Sequence, residues 1–311
     1  MRQPAFSFVM PAYKAEYLSK AIDSILNQSY RNFELIIVND ASPENLERII
    51  AGFEDERIHY QENTHNIGGI DLVKNWDHCI SLAKNDYIIL ATDDDMFEAN
   101  YLADAAKLIE KYPEVNLIRS GVKKIDEHEN IIDFEFPTKE FLTCQEFALF
   151  YAKGGTISCI SNYIFKKDAL IQKGGFISFP RAHYSDDATA LALSKKGVGM
   201  IAANNFNFRV SNINLSNRND LKIVKEQLRA TTLYMEWYLN HIKEINVTSD
   251  NYLERACYGG YKSRYIAMNE NLLTKLPCTK LFFVIHHIFS NKYIFRKEKY
   301  KLLFSYLINH V

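Results

Sequence analysis

Apolar positions in the first part of the chain switch between two periodicities. Phe6-Ser-Phe-Val-Met10 is a short β-type run stopped by Pro11, and Glu16 to Gln28 carries Leu18, Ile22, Ile25 and Leu26 on one helical face. Phe33-Glu-Leu-Ile-Ile-Val38 is nearly continuous in apolar residues, as a strand buried on both faces must be. Ser42-Pro43-Glu44 has the form of a helix start, with a capping Ser and Pro at the first helical position. Arg57 to Tyr60 is a short strand, Gly69 to Ala83 a helix and Tyr87-Ile-Ile-Leu-Ala91 a further buried strand, followed by a helix over Ala99 to Tyr112 and a strand over Val115 to Ser120. Strands alternating with helices across short polar links predict a mostly parallel central sheet with helices on both faces.

The pattern is mixed from about 122 to 210. It contains strand-like Asn130–Phe136 and Tyr163–Lys166, a Gly174-Gly175 turn, and a helix over Asp186–Lys196. Beyond Asn217 it is almost entirely helical: Asp220–Ile245, Asp250–Leu273, Thr279–Phe289 and Tyr293–Asn309. The polar stretch Asn212–Asn219 marks the expected boundary between an α/β domain over 1–216 and a helical C-terminal region over 217–311.

A net charge of −1 argues against a general nucleic-acid binder. Cys79, Cys144, Cys159, Cys257 and Cys278 are scattered without a CxxC, which suits free thiols in a reducing compartment. The apolar stretch Phe6–Met10 is too short for a signal peptide, and no run reaches the roughly 18–20 apolar residues of a membrane span. A cytoplasmic location is the expectation. Peripheral contact with the inner face of the cell membrane would come from the aromatic-basic stretch between Phe282 and Tyr306, which contains Lys292, Arg296, Lys297, Lys299 and Lys301. The same aromatics could instead pack the appendage internally or form a homodimer contact.

In parallel α/β sheets, ligands bind beyond the carboxyl ends of the strands. The polar residues there are Tyr13, Asn39-Asp40 and Asp93-Asp94-Asp95. Three adjacent carboxylates raise one another's pKa, and a divalent cation reverses the effect. Mg²⁺ or Mn²⁺ typically takes one or two carboxylates plus substrate phosphates. Without that position, such a triplet reads as a solvated acidic turn. Neither Gly-x-Gly-x-x-Gly nor a Walker A lysine motif follows the first strand, so dinucleotide and P-loop readings lose their main support.

Phe8-Val-Met-Pro-Ala-Tyr13, Ala21-Ile-Asp-Ser-Ile-Leu-Asn-Gln-Ser-Tyr30 and Phe33-Glu-Leu-Ile-Ile-Val-Asn-Asp-Ala-Ser42 occur in order. Asn66-Ile-Gly68, Asn75, Tyr87-Ile-Ile-Leu-Ala-Thr-Asp-Asp-Asp95, Gly174-Gly-Phe176 and Ser185-Asp-Asp187 follow. Over about 1–216 the sequence resembles family 2 glycosyltransferases of the GT-A fold. The resemblance implies an inverting, metal-dependent transfer from a nucleotide sugar, most simply a UDP-sugar, to a glycan or lipid-linked acceptor in surface polysaccharide synthesis. It implies that Pro11, Ala12, Tyr13 and Asp40 hold the nucleotide, with Asn66 and Lys74 among the donor-site landmarks. Asp95 would be the ligand of Mn²⁺ or Mg²⁺, Asp94 the ribose or sugar contact, and Asp93 a more variable position. Asp187 would be the general base.

The chain departs from the family pattern at several points. Thr92 stands where the family often has Asp, Lys74 replaces an Arg and so loses the bidentate fork, and Ser211 falls where a His is often found. These departures give some weight to a catalytically silent nucleotide-sugar-binding or assembly subunit. A sugar-1-phosphate nucleotidyltransferase would need a Gly-rich basic loop after the first strand, and Met10-Pro-Ala-Tyr13 offers none. Asn27-Gln-Ser29, Asn214-Leu-Ser216 and Asn246-Val-Thr248 match glycosylation acceptors, but a cytoplasmic chain does not meet that machinery.

Overall fold

The computed structural model describes residues 3–136, 138–154, 156–211, 220–245 and 251–309. The expected boundary at 212–219 and the acceptor motifs at Asn214 and Asn246 lie outside these residues. The chain divides into two compact units: 1–147, 155–178 and 185–211 in one, and 148–154, 179–184 and 212–311 in the other.

Among the described residues the first unit is built on ten strands. They are β1 (Phe6–Ala12), β2 (Phe33–Asn39), β3 (Ile58–Glu62), β4 (Tyr87–Leu90), β5 (Met96–Phe97), β6 (Leu117–Ile125), β7 (Ile131–Phe134), β8 (Phe141–Leu142), β9 (Tyr163–Lys166) and β10 (Val198–Arg209). The main order is β3-β2-β1-β4-β9-β6-β10-β5, with β7 on β6 and β8 on β10. Strands β3, β2, β1 and β4 run parallel, as do β6 and β10. Strand β9 joins the two parts antiparallel to both β4 and β6.

The helices of this unit are α1 (Leu18–Leu26), α2 (Leu46–Ile50), α3 (Leu72–Ser81), α4 (Tyr101–Lys111), the start of α5 (Cys144–Lys153), α6 (Lys167–Gln172) and α7 (Ser185–Leu193). Alternation along β1 assigns its two faces. Phe6, Phe8 and Met10 share one core with Leu18, Ile22 and Ile25 of α1 and Leu102, Ala105 and Ile109 of α4. Val9 is equally buried, and α3 packs on β1 and β4. Every residue of β2 is buried, which accounts for its unbroken apolar run.

The helix expected from Ser42 begins later, at Leu46, with Asn45 as its cap accepting the Arg48 amide at 3.1 Å. Ser42 is committed elsewhere: its hydroxyl donates to the Tyr13 carbonyl at 2.6 Å and accepts the Glu44 amide at 3.1 Å. That local turn competes with helix initiation.

The second unit contains α8 (Leu221–Ile245), α9 (Asn251–Thr274), α10 (Leu281–Ser290) and α11 (Arg296–Ile308). Its interior is aromatic: Tyr234, Tyr238, Tyr261 and Tyr265 are buried, and the rings of Tyr238 and Tyr261 stack at 4.4 Å. Among the described residues no single helix is long and apolar enough to cross a membrane. Residues 255–274 and 278–290 qualify only as a pair, bent by 117°.

Candidate active site

Strand β4 hands the chain to Asp93, Asp94 and Asp95, all buried, beside the carboxyl end of its parallel neighbour β1. Asp93 Oδ2 accepts the backbone amides of Tyr13 at 2.8 Å and Lys14 at 2.7 Å. The Lys14 ammonium lies 2.7 Å from Asp94 Oδ2 and 3.5 Å from Asp93 Oδ1. Asp95 Oδ2 accepts the Thr92 hydroxyl at 2.6 Å, and its Oδ1 accepts the Arg209 amide at 2.9 Å. Thr92, one of the departures from the family pattern, therefore orients its neighbour. Arg209 itself is buried, donating Nε to the Asp94 carbonyl at 2.9 Å with its guanidinium 4.3 Å from the Tyr17 ring centre.

Burial raises the Asp93 carboxyl above its usual range despite Lys14. Burial and then Asp94 push Asp95 well above its usual range. Burial alone would lower Lys14, but Asp93 and Asp94 outweigh it and hold the ammonium up. Three carboxylates thus share one ammonium. Among the described residues no three His, Cys, Asp or Glu side chains form a finished metal cage. The surplus of hard oxygen ligands suits a divalent cation whose other ligands are phosphate oxygens.

Parallel pairing sets Asn39 beside Ala12, so Asp40 follows directly and its amide donates to the Ala12 carbonyl at 2.9 Å. Its carboxylate gathers a loop. Oδ1 accepts Asn63 Nδ2 at 2.8 Å and the Ile67 amide at 2.9 Å; Oδ2 accepts the Gly68 amide at 2.7 Å and Asn75 Nδ2 at 3.1 Å. A Cβ on Gly68 would stand 2.9 Å from that oxygen, so the close approach requires glycine. Asn66 closes the same loop by accepting the Gly69 amide. Pro11 and Ala12 complete the end of β1, and Tyr13 stays partly exposed. Lys74 is on the exposed side of α3, 3.9 Å from Asp71, and among the described residues no hydrogen bond joins its side chain to the aspartates.

Asp187 is buried in the first turn of α7, where helix N-termini favour carboxylates. Its Oδ1 accepts the Ser158 hydroxyl, and the Tyr163 hydroxyl lies 3.1 Å from Ser158 Oγ. Cys159, next along, has its thiol raised well above normal by burial, with Asp95 and Asp186 adding to the effect. The Gly174-Gly175 turn has φ of 85° and 89° and docks on α3, where Asp77 Oδ1 accepts the Phe176 amide at 3.0 Å.

Lys14, Ser158 and the donor role of Arg209 are absent from the sequence-derived site. The surplus charge of the triplet was a signal for the first of these: Lys14 is the first cation beyond β1. The other two depend on contacts between residues distant in sequence.

The chain belongs to glycosyl transferase family 2, whose sequence model matches residues 7–172, more than half of the 311. Glycosyltransferase RT0329 of Rickettsia typhi is 30% identical over 178 residues, 55% of this chain and 54% of that protein. The amylovoran biosynthesis glycosyltransferase AmsB of Erwinia amylovora is 27% identical over 191 residues, 54% of this chain and 62% of its own. The similarity thus spans 54% and 62% of the length of these two relatives. S. aureus TarS 1–349 in complex with UDP-GlcNAc superposes with a TM-score of 0.65 at 12% identity, covering 98% of this chain and 90% of that one. A Pyrobaculum calidifontis mannosyltransferase in complex with GDP-Man and Mn²⁺ gives 0.55 at 15% identity, covering 99% and 87%. The fold is of the GT-A type.

Proposed function

We propose that the chain moves a sugar from a UDP-sugar to a hydroxyl of a glycan or lipid-linked acceptor, by single displacement with inversion. The observation that carries this reading is the aspartate triplet at the carboxyl end of β4, fastened to the ends of β1 and β10 and holding more negative charge than Lys14 cancels. Asp95, with donor phosphates, would hold Mn²⁺ or Mg²⁺, which when bound stabilises charge on the departing diphosphate. Pro11, Ala12, Tyr13 and Asp40 form the nucleotide side, with Asn66 shaping the loop that Asp40 gathers and Lys74 at its rim. Asp94 and Asp93 border the ribose and sugar. Asp187 takes the proton of the acceptor hydroxyl as that oxygen attacks the anomeric carbon. The UDP-GlcNAc and GDP-Man complexes of the structural neighbours, and the polysaccharide named for AmsB, support this reading.

We place the reaction at the cytoplasmic face of a membrane. Helix α11 exposes Tyr300, Phe304, Leu307 and Ile308 (55%, 66%, 42% and 58%) along one face, with Arg296, Lys297 and Lys301 beside them. An apolar stripe rimmed with cations fits anionic lipid, whereas pairing this face with a second copy would oppose like charges. Release of UDP from UDP-glucose, UDP-galactose, UDP-GlcNAc and UDP-GalNAc tests the transferase reading. Release above the blank from one of them is expected, and release from none counts against it.

A further inference from the structure

Arg119 on β6 and Glu135 just beyond β7 form a buried ion pair with two parallel bonds, 2.9 and 2.6 Å. Such a pair costs desolvation of both charges, so what it holds in place is informative. Glu135 Oε1 also accepts the Ile157 amide at 2.5 Å, and Arg119 Nη2 donates to the Ile157 carbonyl at 3.0 Å. Both backbone polar groups of Ile157 are therefore gripped by one ion pair. Glu135 is tied to the sheet in turn: its Oε2 accepts the Val122 amide at 3.1 Å, and its carbonyl accepts Asn204 Nδ2 at 2.9 Å.

The next residue along is Ser158. Its hydroxyl has one proton, and that proton goes to Asp187 Oδ1. The 3.1 Å contact with Tyr163 must then run from the tyrosine hydroxyl to Ser158 Oγ. Tyr163 is anchored in β9, with the Arg119 guanidinium 6.0 Å from its ring centre. The chain of contacts runs from the sheet through an ion pair, a clamped peptide and an ordered hydroxyl to one oxygen of one carboxylate.

We infer that Ser158, held by the Arg119–Glu135 clamp on Ile157 and by Tyr163, is a positioning residue that fixes the Asp187 carboxylate for proton abstraction. This rests on Asp187 being the base. A base must sit within hydrogen-bond reach of the proton it removes, and small displacements of a reacting group lower rates steeply. Arg119 lies in β6 and Ser158 in the segment before β9, so the clamp ties that segment to the sheet.

The test uses the full chain with the donor among the four UDP-sugars from which it releases UDP fastest. Ser158→Ala should lower kcat by about 10–100-fold. Donor KM and the Kd for UDP should stay within about twofold, because the nucleotide side is untouched. Ser158→Thr keeps the hydroxyl and should recover most of kcat, and Tyr163→Phe should show a smaller loss in the same direction. Wild-type kcat in Ser158→Ala beside an inactive Asp187→Asn overturns this inference alone. A parallel loss of UDP affinity in Ser158→Ala, or no recovery in Ser158→Thr, also overturns it. Full turnover in Asp187→Asn, or UDP release from none of the donors, instead removes the reading on which it rests.

Discussion

The Lys14 ammonium lies 2.7 Å from Asp94 Oδ2, so the first cation beyond the first strand offsets part of the charge of the cluster that follows the fourth. Lys14→Met should leave Asp93 and Asp94 without their cation in a buried setting. A loss of about 1–3 kcal/mol in urea-induced unfolding is expected. An unchanged midpoint would mean that solvent already screens the pair.

UDP should raise the melting temperature by several degrees in Mn²⁺ and by much less in EDTA, because ligand-linked stabilisation follows affinity. Equal shifts in the two buffers would remove the metal-bridged diphosphate from the account.

The two glycines of the Gly174-Gly175 turn make a discriminating pair. Both have positive φ, but a Cβ on Gly175 would stand 2.5 Å from Asp77 Oδ1, while none of the described atoms lies within 4 Å of a Cβ on Gly174. Gly174→Ala should cost about 1 kcal/mol, from conformation alone. Gly175→Ala should cost about 2–4 kcal/mol, because α3 and the turn must separate as well. Equal unfolding midpoints for the two variants would show that the turn does not depend on its dock.

Acid should weaken the helical unit before it reaches carboxylate pKa values. Burial holds His183 and His287 down to about 4, helped by Lys275 and Arg181 for the first and His286 for the second. Neutral His287 Nε2 is 2.9 Å from Asn269 Oδ1 and can donate to it. The unfolded chain takes up these protons near pH 6.5, so the stability is present above that pH and is lost as pH falls toward 4. As much as ~3 kcal/mol per histidine is at stake. Urea midpoints should decline from about pH 7 to about pH 5 and decline less in a His183→Gln, His287→Gln variant; identical profiles would refute the assignment.

The exposed face of α11 should bring the chain down with phosphatidylglycerol vesicles but not with phosphatidylcholine, and salt should reverse the binding. Phe304→Glu with Leu307→Glu should abolish it. Equal binding to both lipids, or none to either, would leave the basic rim without this use.

The parallel part of the fold was legible because strands buried on both faces must be continuously apolar, as β2 and β4 are. Strands β5 and β8 have two residues each, too few for any period to show. Strand β10 was hidden by its own irregularity: pairing with β6 shifts between Ile201 and Phe206, where Ala202-Ala-Asn-Asn205 interrupts the apolar pattern. Helix α2 started late because Ser42 bonded to Tyr13 and Glu44 instead of capping. The site divides in the same way. The places of Asp40 and the triplet were readable because they follow strands. Arg209 and Ser158 were not, since their meaning comes from partners such as Asp95 and Asp187 that only the folded sheet brings close.

Strand β9 fills the gap between β4 and β6 although both are synthesised before it. A nascent chain can assemble β3-β2-β1-β4 once residue 90 has emerged, but the outer side of β4 stays bare until residue 166. At ribosomal speeds, that delay is about 4–15 s. A bare strand edge is a template for pairing with the wrong partner. The pace of translation across residues 91–166 therefore sets how long each newborn molecule is exposed to aggregation.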